Sequence, residues 1–269
     1  MTVAEPADAD RAGVEGETIL EVRDLTKRFG ELVANDHVSL GVTSGELRSI
    51  IGPNGAGKTT FFNLITGVLS PTAGTVHFRG EDVTDVPVEG RAQRGLGRSY
   101  QSNELFFERS VLENVRIAAQ TAELGSFSFD MFSRADSMKR DRAAQLLERL
   151  RLTDERTTIA RNLSHGDQRR LGIAIALATQ PDLLLLDEPT SGMGPEATTE
   201  TAQLIERIGE ELDIPIVLIE HDMSVVMEIS DRISVLYNGS LIATGSPAEI
   251  REDQEVQDAY LGGLKEEET

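Results

Sequence analysis

The sequence predicts an α/β protein built around a parallel sheet. Strand-like and helix-like segments alternate over the C-terminal part of the chain, as in strands joined by crossover helices. A glycine-rich turn, 52–60, follows the apolar segment 46–52 and precedes a helix-like segment. A stretch of helical spacing at about 102–160 interrupts the alternation and predicts an inserted α-helical subdomain. Ligands bind at the carboxyl ends of parallel strands, so functional residues are expected there.

The N-terminal part predicts three strands, a helix and a hairpin. Segments 19–25, 37–42 and 46–52 alternate or run apolar, and the first two are expected to form part of an antiparallel β edge. A helix is expected at about 58–67, and the turn-containing segment 74–83 predicts a hairpin.

Helices and strands take turns again after the insertion. They are expected at 167–180 (helix), 182–187 (strand), 196–210 (helix), 215–220 (strand), 222–229 (helix), and 232–237 and 240–244 (strands). Together with the N-terminal strands and the helical insertion, these elements are expected to make one folded unit, 18–264. The acidic segments 1–17 and 265–269 are expected to be disordered.

The charge composition of the chain argues against some classes of function. Asp and Glu number 46 against 26 Lys and Arg, a net charge of −20. Nucleic acid is therefore not an expected partner, because binding it needs a surplus of cations. The scarcity of lysine and the acidic surface favour a salt-adapted, halophilic protein, with an ordinary acidic protein as the alternative. There are no cysteines for disulfides, no secretory start and no apolar run near the roughly 20 residues of a membrane helix, so a cytosolic chain with a peripheral membrane role is expected.

The segment GPNGAGKTT matches the phosphate-loop pattern. Its glycines let backbone N–H groups surround a phosphate, Lys58 reaches the outer phosphates, and the Thr59 hydroxyl is a ligand for Mg²⁺. The predicted nucleotide contacts in this segment are Gly52, Pro53, Asn54, Gly55, Ala56, Gly57, Lys58, Thr59 and Thr60. A glycine-rich turn with a spare lysine is the alternative, and the position between a strand and a helix argues against it.

The segment DLLLLDEPT supplies two carboxylates at a strand end. Asp187 ends the apolar strand and is expected to hold Mg²⁺ directly or through water. Glu188 is placed to polarise a water for in-line attack on the γ-phosphate. An acidic pair at a strand end is often only the start of a loop, but the phosphate loop favours the catalytic interpretation.

Three further side chains are candidates on position alone. His221 follows an apolar strand and is expected to reach the γ-phosphate and the attacking water, with a structural histidine as the alternative. Gln101 stands at another strand-to-helix junction, where its amide can touch Mg²⁺ and the water. Phe29 is a candidate for stacking on adenine and is equally compatible with a core position.

The segment LSHGDQRR has the character of a second phosphate-binding helix start. It combines Ser164 and Gly166 with the beginning of a helix, whose free N–H groups and partial positive charge favour an anion. The chain already has a phosphate loop, so this second site needs a different purpose.

In their order, these motifs resemble the ATPase subunits of ABC transporters over nearly the whole folded unit. LSHGD stands where that family carries its LSGGQ signature. The resemblance implies ATP and Mg²⁺ as ligands and a phosphate-loop (RecA-like) core. It also implies a head-to-tail dimer, in which Ser164 and Gly166 bind the γ-phosphate of ATP held by the other subunit.

Within that family, GLGRSYQ, SVLENV, the segment 220–239 and DAYLGG are similar to ATPases of branched-chain amino-acid importers, in particular to the longer of their two subunits. The resemblance implies a sister ATPase (or a second copy), two transmembrane permease subunits and an external substrate-binding protein. Importers of urea or amides share much of the pattern. An exporter ATPase and a non-transport ABC protein are two further candidates, because their families share the nucleotide motifs.

Three residues depart from the family pattern. His165 and Asp167 replace usual signature residues, and Gly194 stands where the family has the aspartate of its D-loop. Asp167 either adds negative charge near an incoming phosphate or caps the helix. We hypothesise that one composite ATP site of the dimer is the less active one. The apolar segment Glu104–Phe107 is a candidate for permease docking, with subdomain core as the alternative.

Overall fold

Strands and helices alternate along a computed structural model that describes residues 16–99, 105–121 and 132–259. The strands are β1 Thr18–Phe29, β2 Leu32–Thr43, β3 Leu47–Ile51, β4 Ala73–Phe78, β5 Glu81–Asp82, β6 Leu96–Ser99, β7 Leu183–Asp187, β8 Ile216–Ile219, β9 Arg232–Tyr237 and β10 Ser240–Gly245. The helices are α1 Lys58–Ile65, α2 Val88–Gln93, α3 Val111–Thr121, α4 Phe132–Arg149, α5 His165–Ala178, α6 Pro195–Leu212, α7 Met223–Ile229 and α8 Pro247–Glu252.

The main sheet has six strands in the order β10-β9-β3-β8-β7-β6. Strands β9, β3, β8, β7 and β6 run parallel, and β10 pairs antiparallel with β9. The α/β fold class expected from the alternation is therefore confirmed. The order also makes β3, β8 and β7 direct neighbours, so that the loops after them meet at one edge.

The N-terminal strands form a second sheet. β1 pairs antiparallel with β2, as expected for 19–25 and 37–42, and β4 and β5 form the expected hairpin. The expectation of an edge is refined, because these strands make a separate four-stranded sheet in the order β2-β1-β4-β5. Alternating apolar residues on β1 bury one face of this sheet against α1.

The central strand β7 shows how the core is divided. Leu183 and Leu185 belong to the cluster shared with α1 and the antiparallel sheet. Leu184 and Leu186 belong to the cluster formed with α3 to α7. All five β7 residues are buried, which explains the unbroken leucine run, since a strand covered on both faces needs no polar alternation.

The helical insertion packs onto the second of these clusters. Helices α3 and α4 contribute buried residues to it beside α5. The start of the insertion splits the expected docking segment: Leu105 is buried, Phe107 packs against the core, and the Phe106 side chain is 52% exposed. The core alternative thus holds for two of these residues and not for Phe106. Glu104 and the expected disordered ends, apart from residues 16 and 17, lie outside the described residues.

Within the described residues, no helix combines the length and apolar character needed to cross a bilayer.

Candidate nucleotide-binding and hydrolysis site

The predicted phosphate loop connects β3 to α1 and is packed tightly against its neighbours. Gly52 has φ 154°, and a Cβ built on it would lie 2.1 Å from the Leu236 carbonyl oxygen. Gly57 has φ 99°, and its Cβ would lie 2.3 Å from the Ala34 carbonyl oxygen. Both positions therefore require glycine. The contacts hold the loop between the end of β9 and the start of β2.

The start of α1 has the features of an anion site. Gly57 is its N-cap and makes no side-chain cap hydrogen bond, and the first turn contains no acidic residue. A Cβ on Gly55 would meet no atom of the described residues within 4 Å, so the loop is open on that side. Uncapped N–H groups beside open space suit a phosphate.

Lys58 joins the loop to the two predicted carboxylates. Its Nζ donates to the Gly52 carbonyl oxygen at 2.6 Å and to the Pro53 carbonyl oxygen at 3.0 Å. Burial lowers the pKa of Lys58, and the charges of Glu188 and Asp187 oppose that shift. The three charged groups lie close enough to act on one another, as expected for a single site.

Asp187 is buried at the end of β7 and has a partner that the sequence did not reveal. Arg98 on β6 donates through Nη2 to Asp187 Oδ2 at 2.8 Å and through Nη1 to Asn63 Oδ1 at 2.7 Å. Asn63 lies on α1, so Arg98 links Asp187 to the helix that follows the phosphate loop. In the sequence, the only indication that Arg98 belongs to the site is its position three residues before Gln101.

Glu188 leaves the strand in an unusual backbone conformation. Its φ is 48°, and its N–H donates to the Ile219 carbonyl oxygen at 2.9 Å. A left-handed non-glycine residue costs about 1–3 kcal/mol and is held by its surroundings. The turn places Glu188 beside the end of β8.

His221 follows β8 and has a largely exposed side chain, 60% accessible. Its backbone N–H donates to Glu220 Oε2 at 3.1 Å. Glu188 and His221 thus follow the ends of the neighbouring strands β7 and β8, and Lys58 begins the helix after the loop from the third neighbour, β3. The exposure shows that His221 is not a core residue, and its role at the γ-phosphate stays a prediction.

The signature segment begins α5. Ser164 is the N-cap; its Oγ accepts from the Asp167 N–H at 3.1 Å and donates to Asp167 Oδ2 at 2.6 Å. Ser164 therefore caps the helix, and the expectation that Asp167 itself caps it is wrong: within the described residues, the only hydrogen bond that its carboxylate accepts comes from the Ser164 hydroxyl. Among the described residues, no hydrogen bond or ion pair joins Ser164 or Gly166 to the phosphate loop.

Two remaining candidates have different outcomes. Phe29 is 47% exposed, with the Lys27 ammonium 5.1 Å from its ring centroid, so the core alternative for Phe29 is wrong. It ends β1 and is paired across the hairpin with Leu32, close to the Ala34 carbonyl that contacts the phosphate loop. Gln101 lies outside the described residues.

The donor set fits Mg²⁺ only together with a phosphate. Among the described residues there is no group of three or more His, Cys, Asp or Glu side chains that could hold a metal ion. Thr59 on α1 is exposed, and Asp187 keeps Oδ1 beside the Arg98-bound Oδ2. Mg²⁺ is characteristically bound by one or two protein oxygens plus substrate phosphates, which matches this arrangement.

Fold and site together define a phosphate-loop nucleotide hydrolase. A family model described as ABC transporter matches residues 35–191, and one described as branched-chain amino acid ATP-binding cassette transporter matches residues 240–264. The chain belongs to the ABC transporter family, as one of its ATP-binding and ATP-hydrolysing subunits.

Several relatives match almost their full length. The chain is 45% identical to the high-affinity branched-chain amino acid transport ATP-binding protein LivG of Salmonella typhimurium, over 91% of this chain and 98% of LivG. It is 41% identical to the corresponding protein BraF of Pseudomonas aeruginosa, over 91% and 98%. It is 33% identical to the lipopolysaccharide export system ATP-binding protein LptB of Escherichia coli, over 90% and 97%.

Solved structures agree with the fold. The ADP conformation of an ATP-binding cassette of an ABC transporter superimposes with a TM-score of 0.79 at 30% identity, covering 91% of this chain and 99% of that one. A dimeric cassette in a post-hydrolysis state, bound to ADP and phosphate, gives 0.74 at 27%, covering 85% and 99%.

Proposed function

We propose that this chain powers the uptake of branched-chain or related amino acids as the ATPase subunit of an importer, at the cytoplasmic face of the membrane. The similarity to LivG and BraF and the matching C-terminal segment 240–264 support this substrate class. The lower identity to LptB makes an exporter the weaker candidate. An importer of urea or amides and a non-transport ABC protein are also weaker candidates.

The hydrolytic step follows from the positions of three side chains. Lys58 and the N–H groups at the start of α1 hold the outer phosphates of ATP. Glu188 accepts a proton from a water whose oxygen forms the new bond to the γ-phosphorus, while the bond from that phosphorus to the bridging oxygen of ADP breaks. His221 hydrogen-bonds the γ-phosphate and orients the water. Thr59 and Asp187 would hold Mg²⁺, which would neutralise charge on the phosphates when bound.

Two further residues complete the site in this proposal. Phe29 stacks on adenine through its exposed ring. Gln101 contacts Mg²⁺ and the water, and senses the helical subdomain at about 102–160.

The second anion site serves a partner subunit in this proposal. Ser164 and Gly166 bind the γ-phosphate of ATP held by a sister ATPase or by a second copy of this chain. Two ATP molecules thereby close the dimer, and hydrolysis opens it, which moves two transmembrane permease subunits. An external binding protein delivers the substrate. The acidic, lysine-poor composition supports a salt-adapted dimer, which unfolding measured against KCl concentration tests.

The observation that carries the hydrolytic part of the proposal is the strand order, which makes β3, β8 and β7 neighbours and so brings the phosphate loop, Glu188 and His221 to one edge of the sheet. The similarity to LivG and BraF carries the substrate class. The test is uptake of labelled leucine, isoleucine, valine and urea by cells that lack this chain. Wild type and Glu252→Gln, a control at an exposed glutamate of α8, should restore amino-acid uptake, and Glu188→Gln should not. Restoration of urea uptake alone would contradict the substrate class.

A further inference from the structure

Glu220 carries a buried carboxylate between the two hydrolytic segments. It follows β8 directly, and its side chain is fully inaccessible to solvent. Oε1 accepts from the Thr190 backbone N–H at 3.0 Å and from the Thr190 hydroxyl. Oε2 accepts from the His221 backbone N–H at 3.1 Å. The Glu220 carboxylate therefore links Thr190, two residues after Glu188, to His221.

This burial is energetically demanding. Removing a carboxylate from water is costly unless hydrogen bonds and charges compensate it. Within the described residues, the only ion-pair contact of Glu220 is to His221 Nδ1, at 3.8 Å. Its compensation thus comes from Thr190 and His221, which are 31 positions apart in the sequence but lie beside the same site.

The turn that carries Glu188 is fixed at two points by the end of β8. The Glu188 N–H bonds to the Ile219 carbonyl oxygen, and Thr190 bonds to Glu220. Between these anchors Glu188 holds its left-handed backbone, φ 48°. Without the second anchor, the turn can relax toward an ordinary conformation and move the Glu188 carboxylate.

We propose that Glu220 is a positioning residue that sets Glu188 and His221 relative to each other, acting through Thr190 without touching ATP. The proposal rests on the hydrolytic role proposed for Glu188. A displacement of about 1 Å in a reacting group can reduce a rate on the order of 100-fold. ATP binding does not depend on this anchor, since the phosphate contacts come from the loop after β3.

The chain contains a matched control. At the opposite end of the sheet, Thr43 donates its N–H at 2.8 Å and its hydroxyl at 2.9 Å to Glu46, another buried glutamate. Thr43→Val removes the same hydroxyl contact as Thr190→Val, far from the phosphate loop. The two variants thus separate a loss of stability from a loss of positioning.

The experiment is steady-state ATPase kinetics of the full-length chain and its variants, with thermal unfolding of each. Thr190→Val should lower kcat about tenfold or more while KM for ATP stays within about twofold, as expected for an interaction that acts on the transition state. Thr190→Ser, which keeps the hydroxyl, should restore most of the rate, and Thr43→Val should leave kcat within about twofold of wild type.

Glu220→Gln provides a second route to the same answer. It keeps the side-chain volume but replaces one acceptor by a donor facing the His221 N–H, so it should also lower kcat and leave KM unchanged. The inference is overturned if folded Thr190→Val and Glu220→Gln retain the kcat of Thr43→Val. Glu188→Gln, assayed in parallel, separates the two claims: if turnover survives that change, the proposed hydrolytic role itself fails.

Discussion

Replacing Asp167 by glutamine should strengthen the ATP-dependent association of this chain. In the free subunit the Ser164 hydroxyl donates to the Asp167 carboxylate, and the proposed clamp requires that hydroxyl to face the partner's γ-phosphate. Asp167→Gln removes the charged acceptor and the repulsion between carboxylate and phosphate. The cap from Ser164 Oγ to the backbone N–H of residue 167 is retained.

The size of the effect follows from the contact. Hydrogen bonds to charged groups are worth about 1.5–3 kcal/mol. The Asp167 side chain is 26% exposed and also lies 3.7 Å from Arg170, so water and a cation weaken its hold on Ser164. We take about 1 kcal/mol for the released contact, which corresponds to roughly fivefold tighter association for each composite site.

The assay is light scattering with Mg-ATP in the Glu188→Gln background, in which ATP is not consumed. Glu249→Gln is the control, because Glu249 on α8 likewise accepts from the hydroxyl of its N-cap, Ser246, at 2.8 Å, and in addition from the Ser246 backbone N–H at 2.7 Å. Both changes remove an acid from a first helical turn and should lower the unfolding midpoint slightly. Only Asp167→Gln should tighten the dimer, and KCl should reduce its advantage through screening. Weaker association of Asp167→Gln would refute the competition between Asp167 and the phosphate.

Three further changes test the loop, the dimer interface and the docking surface. Gly52→Ala places a Cβ against the Leu236 carbonyl oxygen and should weaken ATP binding at least tenfold. The control Gly80→Ala strains the backbone in the same way but meets no neighbouring atom, so it should leave ATP binding unchanged. Equal ATP binding by the two variants would contradict the tight packing of the phosphate loop. Gly194→Asp adds a side-chain cap to α6 in open space and should raise the free energy of unfolding by a few tenths of a kcal/mol. It should also raise ATPase turnover. An unchanged rate would show that the missing aspartate does not cause the hypothesised lower activity of one composite site. Phe106→Ala should abolish uptake while retaining ATPase activity, and Phe107→Ala should lower the unfolding midpoint; the reverse result would exchange their roles.

The segments proposed to form the nucleotide site were predictable because each is a local pattern. The phosphate loop, the leucine strand ending in Asp187 and the start of α5 are each encoded within about ten consecutive residues, where turn chemistry and burial set the conformation. The antiparallel pairing of β1 with β2 was predicted in the same way. Their separation into a second sheet depends on packing against α1, which no local pattern contains.

The contacts that organise the site could not be found in the same way. Arg98 and Asp187 are 89 residues apart in sequence, and Thr190 and Glu220 are 30 apart. Each pair forms only because the strand order β3-β8-β7-β6 brings the strand ends together. The contact between the Asp167 carboxylate and the Ser164 hydroxyl likewise depends on a side-chain orientation that the sequence does not contain. Position along the sequence marked these residues only as neighbours of motifs.

The most direct test of the account compares Glu188→Gln with wild type for ATP-dependent association in high KCl, alone and mixed with a candidate sister ATPase. We expect a stable dimer with Mg-ATP only in samples containing Glu188→Gln. The dimer should be lost when Ser164→Ala is combined with Glu188→Gln in the same chain. That result would establish Glu188 as the hydrolytic residue and residues 163–167 as a clamp on the partner's nucleotide. ATP binding without a dimer in any mixture would contradict the clamp and leave only the phosphate loop in place.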